Sequence, residues 1–272
     1  MTLWVNGSIA QASDPVLRAD DHGFTVGDGV FETMKLIDGR PFALTRHLRR
    51  LQSSADGLGI ALDLAVVRAA LAQVIALEQA PLARLRVTVT AGSAPFGTDR
   101  GEGGPTLIVA TSPLADWPAS ADVSIVPWTR NERAATVGLK TTSYADNVIA
   151  LRHAHARGAG EAIFANTIGE LCEGTGSNIF IGRAGTLLTP ALSSGCLPGI
   201  TRELVIEWLG DVVERPLPIT ALSDCDEAFL TSSTRDIQPI RTVDGIALPG
   251  VPGPLTRRAS EIFSERSAEL DP

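Results

Sequence analysis

Lysine is nearly missing from this chain. Among its 23 lysine and arginine residues only Lys35 and Lys140 are lysines, and tyrosine occurs once, as Tyr144. Cysteine is scarce too. Cys172, Cys196 and Cys225 are odd in number and lack CxxC spacing, which excludes a disulfide framework or a thiolate zinc site and fits free thiols in a reducing cytoplasm. No block of basic residues interrupts a formal net charge of -8, so a nucleic-acid backbone is excluded as a partner. No apolar run approaches the ~20 residues of a membrane span, and no basic region followed by an apolar run marks a signal peptide. These absences describe a soluble, cytoplasmic protein that does not act at a membrane.

The scarcity of lysine singles out Gly138-Leu139-Lys140-Thr141-Thr142-Ser143-Tyr144-Ala145-Asp146-Asn147. A chain that uses arginine for nearly every cation has kept a lysine beside its only tyrosine. Lysine can lose its proton and attack a carbonyl, whereas arginine stays charged and cannot be a nucleophile. The plain alternative is a solvated lysine at the end of a strand.

At 272 residues, with 44% hydrophobic and 20% charged residues, the chain can build two domains with real cores. Alternation predicts strands at 2–5, 30–37, 85–90, 106–110 and 123–128, with Asn6-Gly7 and Asp38-Gly39 as turns. Helical spacing of Leu48, Leu51, Ala55 and Leu58 predicts a helix capped by Thr45 and ended near Gly57 and Gly59. A second helix is predicted over 64–78, and the glycine- and proline-rich loop 92–105 is long enough to suggest function or mobility. Further on, Asp146 is expected to cap a helix through Arg157. Segment 162–165 is apolar, 166–169 turns, and 177–181 is expected as the return strand. Pro198-Gly199 opens a helix over 200–209, strands follow at 228–231 and 237–243, and a closing helix spans 255–269. The polar, proline-interrupted stretch 111–121 reads as a linker. This predicts a small N-terminal domain over 1–113, a linker over 114–121 and a larger domain over 122–272. Many strands without steady βαβ alternation give an α+β class.

Four constellations join Lys140. Pro198-Gly199-Ile200-Thr201-Arg202 sets a glycine turn before a helix, where free N–H groups and the dipole suit a phosphate. Thr231-Ser232-Ser233-Thr234-Arg235 places four hydroxyls in succession after a strand, either a phosphate cradle or a solvated turn. Glu173 is the one carboxylate in the glycine-rich run 171–178 and needs a positive or protonated partner if buried. Arg49 and Arg50, in His47-Leu48-Arg49-Arg50-Leu51, form either a solvated face or a reach toward a phosphate. A reactive lysine, a phosphate seat and a lone carboxylate together suit pyridoxal phosphate. His153 and His155 stand two apart on a predicted helix and do not face each other, so no metal site is expected.

The chain resembles the class IV aminotransferase family, the fold-type IV pyridoxal-phosphate enzymes. The likeness is carried by Gly27-Asp28-Gly29-Val30-Phe31-Glu32, His47-Leu48-Arg49-Arg50-Leu51, Lys140, Glu173-Gly174-Thr175-Gly176-Ser177-Asn178-Ile179-Phe180, Gly199-Ile200-Thr201-Arg202, Phe229-Leu230-Thr231-Ser232-Ser233 and Ile237-Gln238-Pro239-Ile240. It implies that Lys140 is the Schiff-base lysine and proton shuttle, and that Glu173 partners the pyridine nitrogen. It implies phosphate contacts from Arg50, the N–H groups of Ile200 and Thr201, and the hydroxyls of Ser233 and Thr234. Tyr144 matches a tyrosine that donates toward the cofactor's phenolic oxygen, and Phe31 would wall the substrate pocket. The family's two domains meet around the cofactor, and its members are homodimers.

For the substrate, the resemblance implies an amino acid, with the D enantiomer favoured, and a 2-oxo acid. Aminodeoxychorismate lyase, forming 4-aminobenzoate and pyruvate, is the first alternative, and a branched-chain L-amino-acid aminotransferase the second. The arginine and histidine with which D-amino-acid transaminases grip a carboxylate are absent from Ala94-Pro95-Phe96-Gly97-Thr98, and so is the arginine that some lyases carry near Phe96. Arg86 is the candidate for the carboxylate and alternates with Thr88 and Thr90, so it should share their face. Its alternative role is a structural ion pair. Arg235 and Arg100 are looser candidates, Phe96 a further lining residue, and His22 stands where many relatives carry arginine.

Overall fold

Residues 82–90 alternate between aliphatic and polar, and that alternation organises the first half of the molecule. The computed structural model describes residues 2–272. The chain divides into two compact units, one of Met1–Ala115 with Leu139–Tyr144 and Glu269–Pro272, the other of Asp116–Gly138 with Ala145–Ala268. Sequence order had put Lys140 and Tyr144 in the C-terminal part, whereas they belong to the first unit.

The first unit contains β1 (Leu3–Val5), β2 (Ser8–Ala10), the short helix α1 (His22–Thr25), β3 (Gly29–Ile37), β4 (Arg40–Pro41), α2 (Leu44–Leu58), α3 (Leu64–Leu77), β5 (Leu82–Thr90) and β6 (Thr106–Pro113). Its six strands are ordered β2-β1-β6-β5-β3-β4 and are antiparallel throughout. Ala83, Leu85, Val87 and Val89 of β5 are fully buried and share a core with Val30, Met34 and Leu36 of β3, Leu48, Leu51 and Ala55 of α2, and Val67, Leu71 and Val74 of α3. Period 2 on the strands therefore leaves Phe31, Thr33, Arg86 and Thr88 on the opposite face. The register pairs Phe31 with Thr88 and Thr33 with Arg86, which makes Phe31 and Arg86 diagonal neighbours.

Thr45 does not cap α2, contrary to the sequence reading. The N-cap position is Ala43, in the left-handed region at φ 53°, and no side chain of α2 caps it. The C-terminal tail does the work. Ala43 N–H donates to the Leu270 carbonyl at 2.6 Å, and Thr45 donates to the Asp271 carboxylate through N–H at 2.8 Å and Oγ1 at 2.6 Å. A carboxylate at a helix N-terminus satisfies orphan donors and complements the dipole.

The second unit contains β7 (Ala121–Arg130), α4 (Ala145–Ala156), β8 (Glu161–Asn166), β9 (Leu171–Gly174), β10 (Asn178–Arg183), β11 (Thr186–Pro190), α5 (Ile200–Leu209), β12 (Val213–Arg215), β13 (Glu227–Ser232), β14 (Asp236–Val243), β15 (Ile246–Ala247) and α6 (Pro254–Arg266). Its sheet is ordered β12-β11-β10-β13-β14-β7-β8-β9, with β15 on β14. The strand returning against β8 is β9, which carries Glu173, and not 177–181 as the sequence suggested. Four residues including one glycine are too few to show a period. The segment at 177–181 instead pairs with β13 as β10. The unit is β-rich with helices on a mixed sheet, so the molecule is α+β with a smaller N-terminal part. The three cysteines are free and buried, and burial pushes their thiols up, away from the reactive thiolate form.

Losing the tail's cap should be measurable. Asp271→Ala is expected to lower stability by about 1 kcal/mol, the usual worth of an N-cap, read from the shift in thermal unfolding. Thr45→Ala, which removes only one of the two donors, should cost less. Equal effects from the two substitutions would show that the carboxylate does not cap the helix.

Candidate active site

In the first unit, strand register gathers the chemistry on the sheet face that the helices do not cover. Leu139–Tyr144 lies alongside the start of β3: Phe31 N–H donates to the Lys140 carbonyl at 3.0 Å, Thr142 N–H to the Gly29 carbonyl at 2.8 Å, and Thr141 bridges to Val30. Lys140 N–H is fixed on the other side by Ser54 Oγ of α2 at 3.1 Å. The lysine backbone is thus tied to a strand and a helix. Its Nζ sits 4.4 Å from the centre of the Phe31 ring.

Phe31 is the hub of this face. Arg86 lays its guanidinium 3.8 Å from the ring centre, and Tyr144 meets the ring edge-on at 5.2 Å. Arg86 Nε donates to Thr88 Oγ1 at 3.1 Å, so the two share a face as the alternation predicted. No carboxylate among the described residues lies within ion-pair distance of Arg86. Its alternative as a structural ion pair therefore finds no partner. Burial pushes its guanidinium down from the ordinary value, opposed by Tyr144. Phe96 lies on the loop after β5 and is 83% exposed.

Arg50 faces a carboxylate that sequence reasoning passed over. Glu32 alternates onto the helix side of β3, where it is wholly buried. Arg50 clasps it with Nε to Oε1 and Nη2 to Oε2, both at 2.7 Å, and His47 Nδ1 meets Oε2 at 2.6 Å. Burial pushes the Glu32 carboxyl up, but the charge and hydrogen bonds of Arg50, then those of His47, outweigh it and bring it to about 2. Burial pushes the His47 imidazole down from its ordinary value, opposed by the Glu32 carboxylate. The sequence signal was available: a glutamate inside the apolar run of β3, with His47 and Arg50 three apart on one helix face.

His22 and Arg100 have structural tasks. Buried His22 places Nδ1 3.0 Å from Asp28 and Nε2 3.2 Å from the Gly97 carbonyl. Arg100 forks onto the same Asp28 at 2.7 and 2.6 Å and donates to the Gly59 carbonyl at 2.9 Å. Both residues hold loop 92–105 against the start of β3, which occupies the donors that Arg100 would need for a substrate carboxylate.

In the second unit, Gly199 is the N-cap of α5 without any side-chain cap, and Ile200 and Thr201 of the first turn are buried. A Cβ on Gly199 would stand 1.9 Å from Asn178 Oδ1, so a larger residue there would have to displace the Asn178 amide. Arg202 turns elsewhere, to the Pro190 carbonyl and Glu214. Glu173 on β9 accepts from Leu197 N–H at 2.9 Å and pairs with Arg130 Nε at 3.3 Å. Arg130 stacks 4.2 Å from the Phe164 ring centre. The expectation of a positive partner for Glu173 is thus met inside the protein by a residue that no sequence motif flagged. Ser233 and Thr234 form the tip of the β13–β14 hairpin, and Thr231 Oγ1 just before it is buried without a partner among the described residues.

Arg235 does not sit open for a substrate. Nη2 donates to Glu161 Oε2 at 3.0 Å, Nη1 to Gln238 Oε1 at 3.1 Å, and the guanidinium lies 4.1 Å from the centre of a Trp117 ring. The expected substrate contact gives way to a buried ion pair, because its side chain is 7% exposed and that of Glu161 1%.

A model of the family "Amino-transferase class IV" matches residues 29–243. The D-alanine aminotransferase of Bacillus licheniformis is 29% identical, over 94% of this chain and 94% of its own length. The aminodeoxychorismate lyase of Bacillus subtilis is 29% identical, over 90% of this chain and 87% of its own. The crystal structure of the Escherichia coli branched-chain amino acid aminotransferase superposes with a TM-score of 0.90 at 28% identity, covering 97% of this chain and 93% of that one.

The depressed Glu32 carboxyl carries a signed pH dependence. Its stabilising contribution is complete above its ordinary value of 4.5 and is lost as pH falls toward about 2. Glu32→Gln strands the Arg50 charge and is expected to lower stability near neutral pH by about 3 kcal/mol. It should also flatten the decline below pH 4.5, read from thermal midpoints across that range. A variant whose midpoints run parallel to the parent's through acid would show that Glu32 is not the group responsible.

Proposed function

The chain belongs to the class IV aminotransferase family, whose enzymes use pyridoxal phosphate, and from that premise we propose that it is a transaminase that moves an amino group between a D-amino acid and a 2-oxo acid, with Lys140 as its reactive lysine. One observation carries the reading: the Lys140 amine and the Arg86 guanidinium border one ring, Phe31, and no carboxylate among the described residues pairs with Arg86. That puts a nucleophilic nitrogen near a cation able to take a substrate carboxylate.

The residues suit the cofactor. The N-terminus of α5 offers N–H groups without a side-chain cap, behind a glycine packed against the Asn178 amide, and Thr231 supplies a buried hydroxyl without a partner among the described residues. In this reading Arg50, the Ile200 and Thr201 N–H groups, and the hydroxyls of Ser233 and Thr234 hold the phosphate. Glu173, paired with Arg130, faces the ring nitrogen, and Tyr144 the phenolic oxygen. Bound there, pyridoxal phosphate supplies an electron sink for charge left on the substrate carbon. Lys140 holds the cofactor and moves the substrate proton at Nζ, and its doubly anchored backbone keeps that amine in place. Arg86 orients the substrate carboxylate, with Phe31, Thr88 and Phe96 lining the pocket.

The D enantiomer is favoured by Gly27-Asp28-Gly29-Val30-Phe31-Glu32 and by the likeness to a D-alanine aminotransferase. Aminodeoxychorismate lyase is kept as a second reading, because a lyase is as similar to this chain as that transaminase, at 29% identity each. The likeness to a branched-chain enzyme supports the L-amino-acid reading third. We also propose a homodimer, the assembly that the family resemblance implies. Light scattering that returns the mass of one chain would refute it.

Purified protein should show visible absorbance that Lys140→Ala abolishes, and should form pyruvate from D-alanine and 2-oxoglutarate but not from L-alanine. Activity with L-alanine or branched-chain L-amino acids alone selects the third reading, and release of 4-aminobenzoate from aminodeoxychorismate without transamination selects the lyase. Arg86→Ala should raise KM for both the amino and the oxo acid about tenfold or more, as expected for a lost charge-assisted hydrogen bond. Unchanged KM values would remove Arg86 from substrate binding.

A further inference from the structure

The hairpin between β13 and β14 is closed by the Ser232–Asp236 pair, leaving loop 233–235, with Asp236 in the left-handed region at φ 56°. A three-residue loop followed by a left-handed residue is a common hairpin form, and an aspartate tolerates that conformation less readily than glycine. Arg235, the last loop residue, folds its side chain back into the unit, away from water.

It arrives at Glu161, the first residue of β8. That carboxylate is nearly fully occupied. Oε1 accepts from Thr175 N–H at 3.1 Å and from Thr175 Oγ1, and Oε2 accepts from Ser177 Oγ at 3.0 Å and Arg235 Nη2 at 3.0 Å. The approach needs Gly174, whose Cβ would stand 2.4 Å from Ser177 Oγ and 3.2 Å from Glu161 Cδ. One buried carboxylate therefore fastens turn 174–177, which directly follows Glu173, and Arg235 fastens the Ser233–Thr234 loop to the same carboxylate. Gln238 extends the brace: it accepts from Arg235 and donates to the Pro118 carbonyl at 2.8 Å, beside Trp117 on the guanidinium face.

We propose that Arg235 is a positioning residue for the cofactor: its ion pair with Glu161 fixes the spacing between the Ser233 and Thr234 hydroxyls and the Glu173 carboxylate, the groups assigned above to the phosphate and the ring nitrogen. This rests on that assignment and deepens it. The physical reason is rigidity. The two turns lie at the ends of different strands, and a bidentate cation shared between a buried carboxylate and an amide removes their freedom to drift apart. Arginine is required rather than lysine, because only a planar fork can engage Glu161 and Gln238 together while stacking on Trp117.

The test separates a brace from a substrate contact. Apoprotein of the parent, Arg235→Lys and Arg235→Met is titrated with pyridoxal phosphate by visible absorbance, and the bound phosphate is followed by phosphorus NMR. Steady-state kinetics are then run at saturating cofactor. Arg235→Met is expected to weaken cofactor binding about 10- to 100-fold, the scale of lost outer-shell partners, and to shift the phosphorus resonance. The KM for amino acid should change less than about threefold, within the noise of an untouched contact. Arg235→Lys, which keeps the charge on Glu161, should recover part of the affinity and remains informative if the methionine variant fails to fold. Unchanged cofactor affinity and phosphorus shift in folded Arg235→Lys and Arg235→Met overturn the proposal, and so does a raised amino-acid KM with unaltered cofactor binding. Failure of the parent protein to take up pyridoxal phosphate would overturn the cofactor reading itself, and this proposal with it.

Discussion

A carboxylate cut off from water has to be neutralised where it stands, and each unit of this protein is arranged around one. In the first unit Glu32 emerges from β3 on the helix side, and α2 answers with His47 and Arg50. The pair fixes the rotation of α2 on the sheet, because the two residues three apart on one helix face must both reach a single side chain. In the second unit Glu161 opens β8 and collects hydroxyls, an N–H and a guanidinium from two separate turns. Removing either carboxylate would leave a buried arginine without its counter-charge, a far larger penalty than losing an exposed ion pair.

These anchors place the chemistry indirectly. With Glu32 and the aliphatic side chains of β3 committed to the helix side, Phe31 must face the other way, where Arg86 and Thr88 also point by the register of β5. Leu139–Tyr144 docks beside the start of the same strand and brings Lys140 and Tyr144 to that ring. Backbone pairing with β3 holds the Lys140 backbone on one side and the Ser54 hydroxyl holds it on the other. Lys140 thus rests on regular structure, although its own segment is irregular.

Much of the fold was legible. Long periodic segments such as β3, α2, α3, β5 and α5 were found within a few residues, and the glycine turns at Gly7 and Gly39 fell where the sequence marked them, both with positive φ. The likeness to class IV aminotransferases was readable from dispersed motifs and is matched by the family model over 29–243. What escaped was short or remote. β9 is four residues and too brief for a period to show. The cap of α2 comes from Asp271, more than two hundred positions away, so Thr45, the nearest hydroxyl in sequence, was the only candidate a local rule could offer. Arg235 was read as a substrate contact because a hydroxyl-rich loop says nothing about whether its arginine points outward or in.

The sequence by itself determined the composition of the chemistry: one lysine kept where arginine was the habit, a glycine-led helix start, a lone carboxylate at Glu173 and two faces on β5. Local rules suffice for these, because periodicity, capping and side-chain reactivity belong to single residues or to neighbours along the chain. Only the tertiary structure decided which charges meet. It gave Arg50 to Glu32, Arg130 to Glu173, Arg100 to Asp28 and Arg235 to Glu161, and left Arg86 without a carboxylate among the described residues. An ion pair depends on distance and burial, and the chain does not carry either quantity until it has folded.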